Sequence, residues 1–136
     1  MNRFFVDTFY WIALANSRDQ WHRRVKAFDD ALDASRFSTT DEVLTEFLTF
    51  YSEGVPGARR RAALFARRIL ADDDVMVLPQ TRASFLGGLT LYEARLDKGY
   101  SLPDCISMEA MRREGLTDVL TNDRHFTQEG FPILFP

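Results

Sequence analysis

Short runs of strand-forming residues alternate along this chain with longer segments whose apolar positions recur every three or four residues, and that alternation leaves few folds open. Strands are expected at residues 3–6, 37–39, 75–78, 118–121 and 131–135, the last at a sheet edge because Pro132 and Pro136 flank it. Between them, the apolar stretch from Tyr10 to Ala15 opens a helix after Asp7-Thr8, and Trp21, Val25, Phe28 and Leu32 line one face of a helix over 19–32. Further helices are predicted over 41–51, where Thr39 and Glu42 have capping-box spacing, over 58–71, over 81–98 and over 101–114. Gly87-Gly88 lowers helix propensity inside the helix over 81–98 and suits a close helix contact or a kink. Strands alternating with helices, with no internal repeat, predict an α/β fold: a three-layer α/β/α sandwich around a mostly parallel sheet of about five strands.

A length of 136 residues, 46% of them hydrophobic, suffices for one core and leaves no room for a second, so residues 1–136 are expected to form a single domain. With 27% charged residues and a net charge of -3, the composition matches neither a disordered nor a fibrous chain. Cys105 is the only cysteine, which excludes an internal disulfide and a thiolate zinc cage and is compatible with a reducing compartment. Arg3, an apolar stretch and Ala13-Leu14-Ala15 mimic a secretory leader, but Asp7 interrupts the run. No apolar run approaches the roughly 20 residues of a membrane helix. A cytoplasmic protein with no membrane association is therefore expected.

Four acids, Asp7, Glu46, Asp104 and Asp123, fall at the edges of predicted elements in the contexts FFVD, TTDEVLTE, YSLPD and VLTND. In an open parallel sheet such ends converge on one crevice. Carboxylates gathered there repel one another unless a positive charge lies between them, and an oxygen-preferring divalent cation is the usual resolution. Each aspartate also has a plainer role available: Asp7 as a helix cap, Asp104 as the acid of a capping box with Ser101, and Asp123 as a turn residue after Asn122. Glu46 has none, since it lies in the second helical turn beyond the capping positions. Glu42, one turn earlier, is better explained by capping.

Across almost its whole length the chain resembles the PIN-domain ribonucleases, and among them the small VapC toxins of toxin–antitoxin pairs. The resemblance is carried by FFVDT, TTDEVLTEF, LPDCISMEAM and, most specifically, VLTNDRHF, with Thr121, Asp123 and Phe126 in the family's places. It departs at Cys105, where the family commonly has a small residue. The resemblance implies that Asp7, Glu46, Asp104 and Asp123 form the catalytic and metal-binding set, with Thr121 as a supporting hydroxyl. It implies an Mg²⁺- or Mn²⁺-dependent endoribonuclease that hydrolyses a phosphodiester to a 5′-phosphate and a 3′-hydroxyl. In such a mechanism the cation lowers the pKa of a water and offsets charge on the phosphate oxygens, so no protein nucleophile is needed. A cognate antitoxin that covers the acidic pocket and a homodimer are implied in the same way.

Other residues suggest weaker or competing roles. Arg124, beside Asp123, is a candidate phosphate contact. Arg59, Arg60, Arg61, Arg67 and Arg68 fall on one predicted helix, where they suit a solvated face, an RNA-backbone patch or a dock for an acidic partner segment. His22 and His125 could in principle run metal-free RNA cleavage, but one sits on a polar helix stretch and the other in a turn. A haloacid-dehalogenase-type phosphatase would need an aspartate where Phe9 stands, and the chain has no P-loop and no GxGxxG. Two alternatives remain: a catalytically silent module that binds RNA or protein, and a housekeeping RNA-processing nuclease of the same fold.

Overall fold

The structure, a computed structural model, describes all 136 residues. Four parallel strands, β1 (Asn2–Val6), β2 (Ser35–Thr40), β3 (Val75–Leu78) and β4 (Val119–Leu120), form one sheet in the order β3-β2-β1-β4. Seven helices flank them: α1 (Thr8–Ala15), α2 (His22–Ala31), α3 (Asp41–Phe50), α4 (Ala58–Ala71), α5 (Arg82–Ala94), α6 (Leu102–Glu114) and α7 (Arg124–Gln128). The chain runs from β1 to β2 on one side, on to β3, and returns to place β4 on the other side of β1. That reversal puts a topological switch point between β1 and β4, where the carboxyl ends of adjacent strands leave a crevice.

The parallel α/β sheet expected with about five strands is present with four. Residues 131–135 contribute only a single parallel bridge, between Ile133 and Val119, and Pro132 has no amide to donate. Phe135 is buried against Phe28, with ring centroids 5.3 Å apart, and three backbone hydrogen bonds also tie the segment to β4 and its flank: Val119 N to the Pro132 carbonyl, Leu134 N to the Val119 carbonyl and Phe135 N to the Thr121 carbonyl. The capping box expected of Thr39 and Glu42 does not form. Thr39 stays in β2, its hydroxyl donating to the Val6 carbonyl at 2.9 Å, and Thr40 caps α3 by accepting from the Val43 amide at 3.1 Å. The short helix α7 was not foreseen, because only five residues carry it and no apolar period can be read over so few.

β1 is one of the two inner strands, and Phe4, Phe5 and Val6 are buried on both faces of the sheet. Phe4 packs with Phe28 of α2 and Phe37 of β2. Alternation along the strand sends Phe5, which has no exposed surface, to the opposite layer. Burying such a ring contributes about 1.5–3 kcal/mol. No helix is long and apolar enough to cross a membrane.

The two adjacent glycines of α5 do different work. A Cβ at Gly88 would stand 2.4 Å from Ile106 Cγ1 of α6, so this glycine permits a close α5–α6 approach, whereas a Cβ at Gly87 would meet nothing within 4 Å. In urea denaturation, Gly88→Val should cost about 1–3 kcal/mol through overpacking, and Gly87→Ala should gain up to about 1 kcal/mol from helix propensity. Equal effects at the two positions would contradict this packing.

Candidate functional site

The carboxyl ends of β1 and β4 each deliver an acid. Asp7 follows β1 and occupies the N-cap position of α1, yet its carboxylate makes no cap bond. Asp7 Oδ2 instead accepts a hydrogen bond from Thr121 Oγ1 at 2.8 Å, across the switch point from the residue that follows β4. The same Thr121 oxygen accepts from the Asp123 amide at 3.2 Å, which holds the turn that presents the second acid. Thr121 is fully buried and Asp7 only 8% exposed. Thr121 thus links Asp7 and Asp123 through one hydroxyl.

The other two acids come from helices. Glu46, in the second turn of α3, has Oε1 fixed by Thr8 Oγ1 at 2.9 Å. Asp104 sits at the third position of α6 in a capping box: its Oδ2 accepts from the Ser101 amide, and its amide donates to Ser101 Oγ, both at 3.2 Å. Asp123 Oδ1 caps α7 by accepting from the His125 amide at 2.9 Å. The plainer capping role is therefore real for Asp104, and Asp123, expected as a turn residue, caps α7. These caps use one oxygen of each carboxylate and aim the other, leaving Glu46 Oε2, Asp104 Oδ1 and Asp123 Oδ2 without hydrogen-bond partners.

Mutual electrostatics ties the four into one cluster. Desolvation, opposed by the Thr121 hydrogen bond and reinforced by the charges of Asp104 and Glu46, pushes Asp7 up to about 7. Burial raises Glu46 as well, with Asp104 and Asp123 adding to the shift. Burial and the Asp123 charge likewise raise Asp104, against the Ser101 bonds and His125. No lysine or arginine pairs with any of the four, and the only basic group in reach is His125. Carboxylate oxygens without a protein counter-charge are the donor set of hard divalent cations, and these residues fit such an ion.

His125 was expected in a surface turn, but its ring lies among the acids. Nδ1 is 3.3 Å from Asp123 Oδ1 and 3.5 Å from Asp104 Oδ2. Sequence reasoning placed it wrongly because α7 was not recognised, although its position two residues after Asp123 could have placed it in the first turn of a capped helix. Thr8 was also missed; its adjacency to Asp7 was the available signal. His22 is held elsewhere, its Nδ1 2.7 Å from the Ala13 carbonyl, so no pair of histidines assembles at the cluster. Arg124 is exposed beside Asp123 and forms no ion pair. The α4 arginines are all exposed, opposite the buried Ala58, Ala62, Ala66 and Ile69.

The fold and this carboxylate cluster define an α/β protein with an acidic crevice at the carboxyl edge of a parallel sheet. The chain belongs to the PIN domain family, whose sequence profile matches residues 4–131. Among solved structures it is similar to VapC20 of Mycobacterium tuberculosis, described as a sarcin–ricin loop cleaving toxin, with 26% identity, a TM-score of 0.83 and coverage of 95% of this chain and 96% of that one. It also resembles in fold VapBC2 of Rickettsia felis bound to a promoter DNA fragment, at 11% identity and TM-score 0.65, covering 96% of each chain. FitAcB of Neisseria gonorrhoeae is similar at 14% identity and TM-score 0.63, covering 96% of this chain and 95% of that one. Sequence comparison with curated proteins finds no significant match.

A buried carboxylate with a raised pKa makes the metal-free fold pay for ionisation. The stability that Asp7 contributes is fully present below the ordinary carboxylate value near 3.8 and is lost as pH rises toward 7. Asp7→Asn retains an acceptor for Thr121 and carries no charge. In the absence of metal it should melt higher than wild type at pH 8, by the equivalent of about 1–4 kcal/mol, with the gap closing toward pH 4. A variant that melts lower at pH 8 would contradict the uncompensated cluster.

Proposed function

We propose that this protein is a divalent-metal-dependent endoribonuclease, and that it acts as the toxin of a toxin–antitoxin pair. The observation that carries the nuclease reading is the convergence of four carboxylates at the β1/β4 switch point with no lysine or arginine paired to them. Asp7, Asp104 and Asp123 are assigned to hold Mg²⁺ or Mn²⁺, with Glu46 as a further ligand or as the group that orients the attacking water. When bound, the cation supplies Lewis acidity toward the phosphodiester and the water that attacks it.

The chain's own groups supply position. Thr121 holds Asp7, Thr8 holds Glu46, and the caps of α6 and α7 aim Asp104 and Asp123. These constraints fix the carboxylates before substrate arrives, so little reorganisation remains during the reaction. Arg124, exposed one residue beyond Asp123, suits a phosphate oxygen of the incoming strand. RNA as substrate and the toxin role are supported by the similarity to VapC20, and a protein partner by the fold shared with VapBC2. A cognate antitoxin that covers the acidic crevice, a homodimer and a cytoplasmic location complete the proposal, as does residues 1–136 forming one domain.

A pool of end-labelled RNAs incubated with Mg²⁺, Mn²⁺ or EDTA tests the reading. Wild type should cut only with metal, Asp7→Ala should lose at least about 100-fold in rate, and Thr121→Val should lose about 10–100-fold by releasing Asp7. Equal cutting by wild type and Asp7→Ala in EDTA would contradict the metal mechanism. Binding of RNA without cleavage under every metal condition would favour the silent binding module.

A further inference from the structure

The four carboxylates leave one group of the crevice without a role. His125 Nδ1 is shielded from solvent and has no hydrogen-bond partner. It lies 3.3 Å from Asp123 Oδ1 and 3.5 Å from Asp104 Oδ2, near enough to bond either oxygen but out of line with both. A buried ring nitrogen beside a carboxylate ordinarily aims a hydrogen at it, so this atom is an exception that requires a physical cause. One ligand atom from each of Asp104, Asp123 and His125 lies within 4.8 Å of the others. Neighbouring ligands of an octahedral ion bound at about 2.1 Å stand about 3 Å apart, within that 4.8 Å bound.

The ring is also held. Tyr100 packs against it with centroids 5.5 Å apart at 59°. The Tyr100 hydroxyl donates to Glu129 Oε1 at 3.0 Å, and Glu129 is clamped by Arg95 at 2.8 Å and Arg112 at 2.6 Å. From the other side, the Asp123 carboxylate that caps α7 accepts from the backbone amide of His125 itself. Backbone cap and aromatic support therefore place Nδ1 at the same two carboxylates. Such support from surrounding groups is what fixes an imidazole in a ligating posture.

We propose that His125 Nδ1 is a nitrogen ligand to the cation held by Asp104 and Asp123, and that it biases the site toward Mn²⁺ over Mg²⁺. The inference rests on the metal-dependent reading above. An all-oxygen set suits magnesium, whereas an imidazole in the set favours the transition ions, which accept nitrogen more readily. His125 thereby sets which ion is retained, a property that the four acids alone leave open.

The test uses the full-length protein loaded with Mn²⁺ and electron spin-echo spectroscopy, which reads nitrogen bound to the ion directly. Wild type should show the ¹⁴N coupling of an imidazole, and ¹⁵N-histidine labelling should replace it with a ¹⁵N signal without any substitution. His125→Ala and His125→Gln should lose the coupling and weaken Mn²⁺ binding about tenfold or more, with Mg²⁺ binding changed less than about threefold. Bound Mn²⁺ with no nitrogen coupling, or a coupling that survives His125→Ala, would overturn the inference. If RNA cleavage still requires metal in that case, the nuclease reading stands without it. Absence of both Mn²⁺ binding and cleavage in wild type would overturn the two together.

Discussion

The hydrogen bond from Thr121 to Asp7 is the contact on which the rest of the crevice depends. It joins the ends of two strands separated by 114 positions in sequence, and it exists because β4 pairs with β1 in parallel and in the register Val6 to Leu120. Were β4 shifted by one residue, Thr121 would point to the other face of the sheet. The aromatic packing around Phe4 and Phe5 fixes β1, and hence the position at which Asp7 emerges.

What this arrangement costs is electrostatic. Burial raises Asp7, Glu46 and Asp104 together, and their charges reinforce one another. A fold selected only for stability would neutralise such a cluster with an arginine, of which this chain has many. The arginines instead line the exposed face of α4 or, at Arg95 and Arg112, hold Glu129, whose carboxyl they pull down to about 2. The molecule thus compensates one buried carboxylate fully and leaves the four at the crevice uncompensated. That contrast within one fold is the physical basis for assigning them a cation.

Much of the architecture is readable from the chain because apolar period and burial agree. β3 falls where the VMVL run places it, and Gly115, with φ at 68°, closes α6 where the periodicity ends. The acids at 7, 46, 104 and 123 do come within electrostatic reach of one another, Asp7 and Asp123 because parallel topology gathers strand ends, Glu46 and Asp104 from α3 and α6. Legibility fails where tertiary contacts override local pattern. Thr39 is drawn into β2 by Val6 and Trp11 rather than capping α3, and Phe131–Phe135 carries strand-forming residues but makes only one bridge to β4. The predicted helix over 81–98 stops at Arg95, whose guanidinium is taken up by Glu129. His125 was misplaced for the same reason, because a five-residue helix held by an aspartate cap and an aromatic neighbour leaves no period to read.

On the proposed reading, folding alone assembles an uncompensated carboxylate cluster that a divalent cation relieves. Titration of the side-chain carboxyl carbons by ¹³C NMR, with and without the diamagnetic ion Mg²⁺, measures this directly. Without metal, Asp7 should titrate near 7, and saturating Mg²⁺ should move it below the ordinary carboxylate range. An Asp7 that titrates near 4 in the metal-free protein, or one that Mg²⁺ leaves unmoved, would contradict the account.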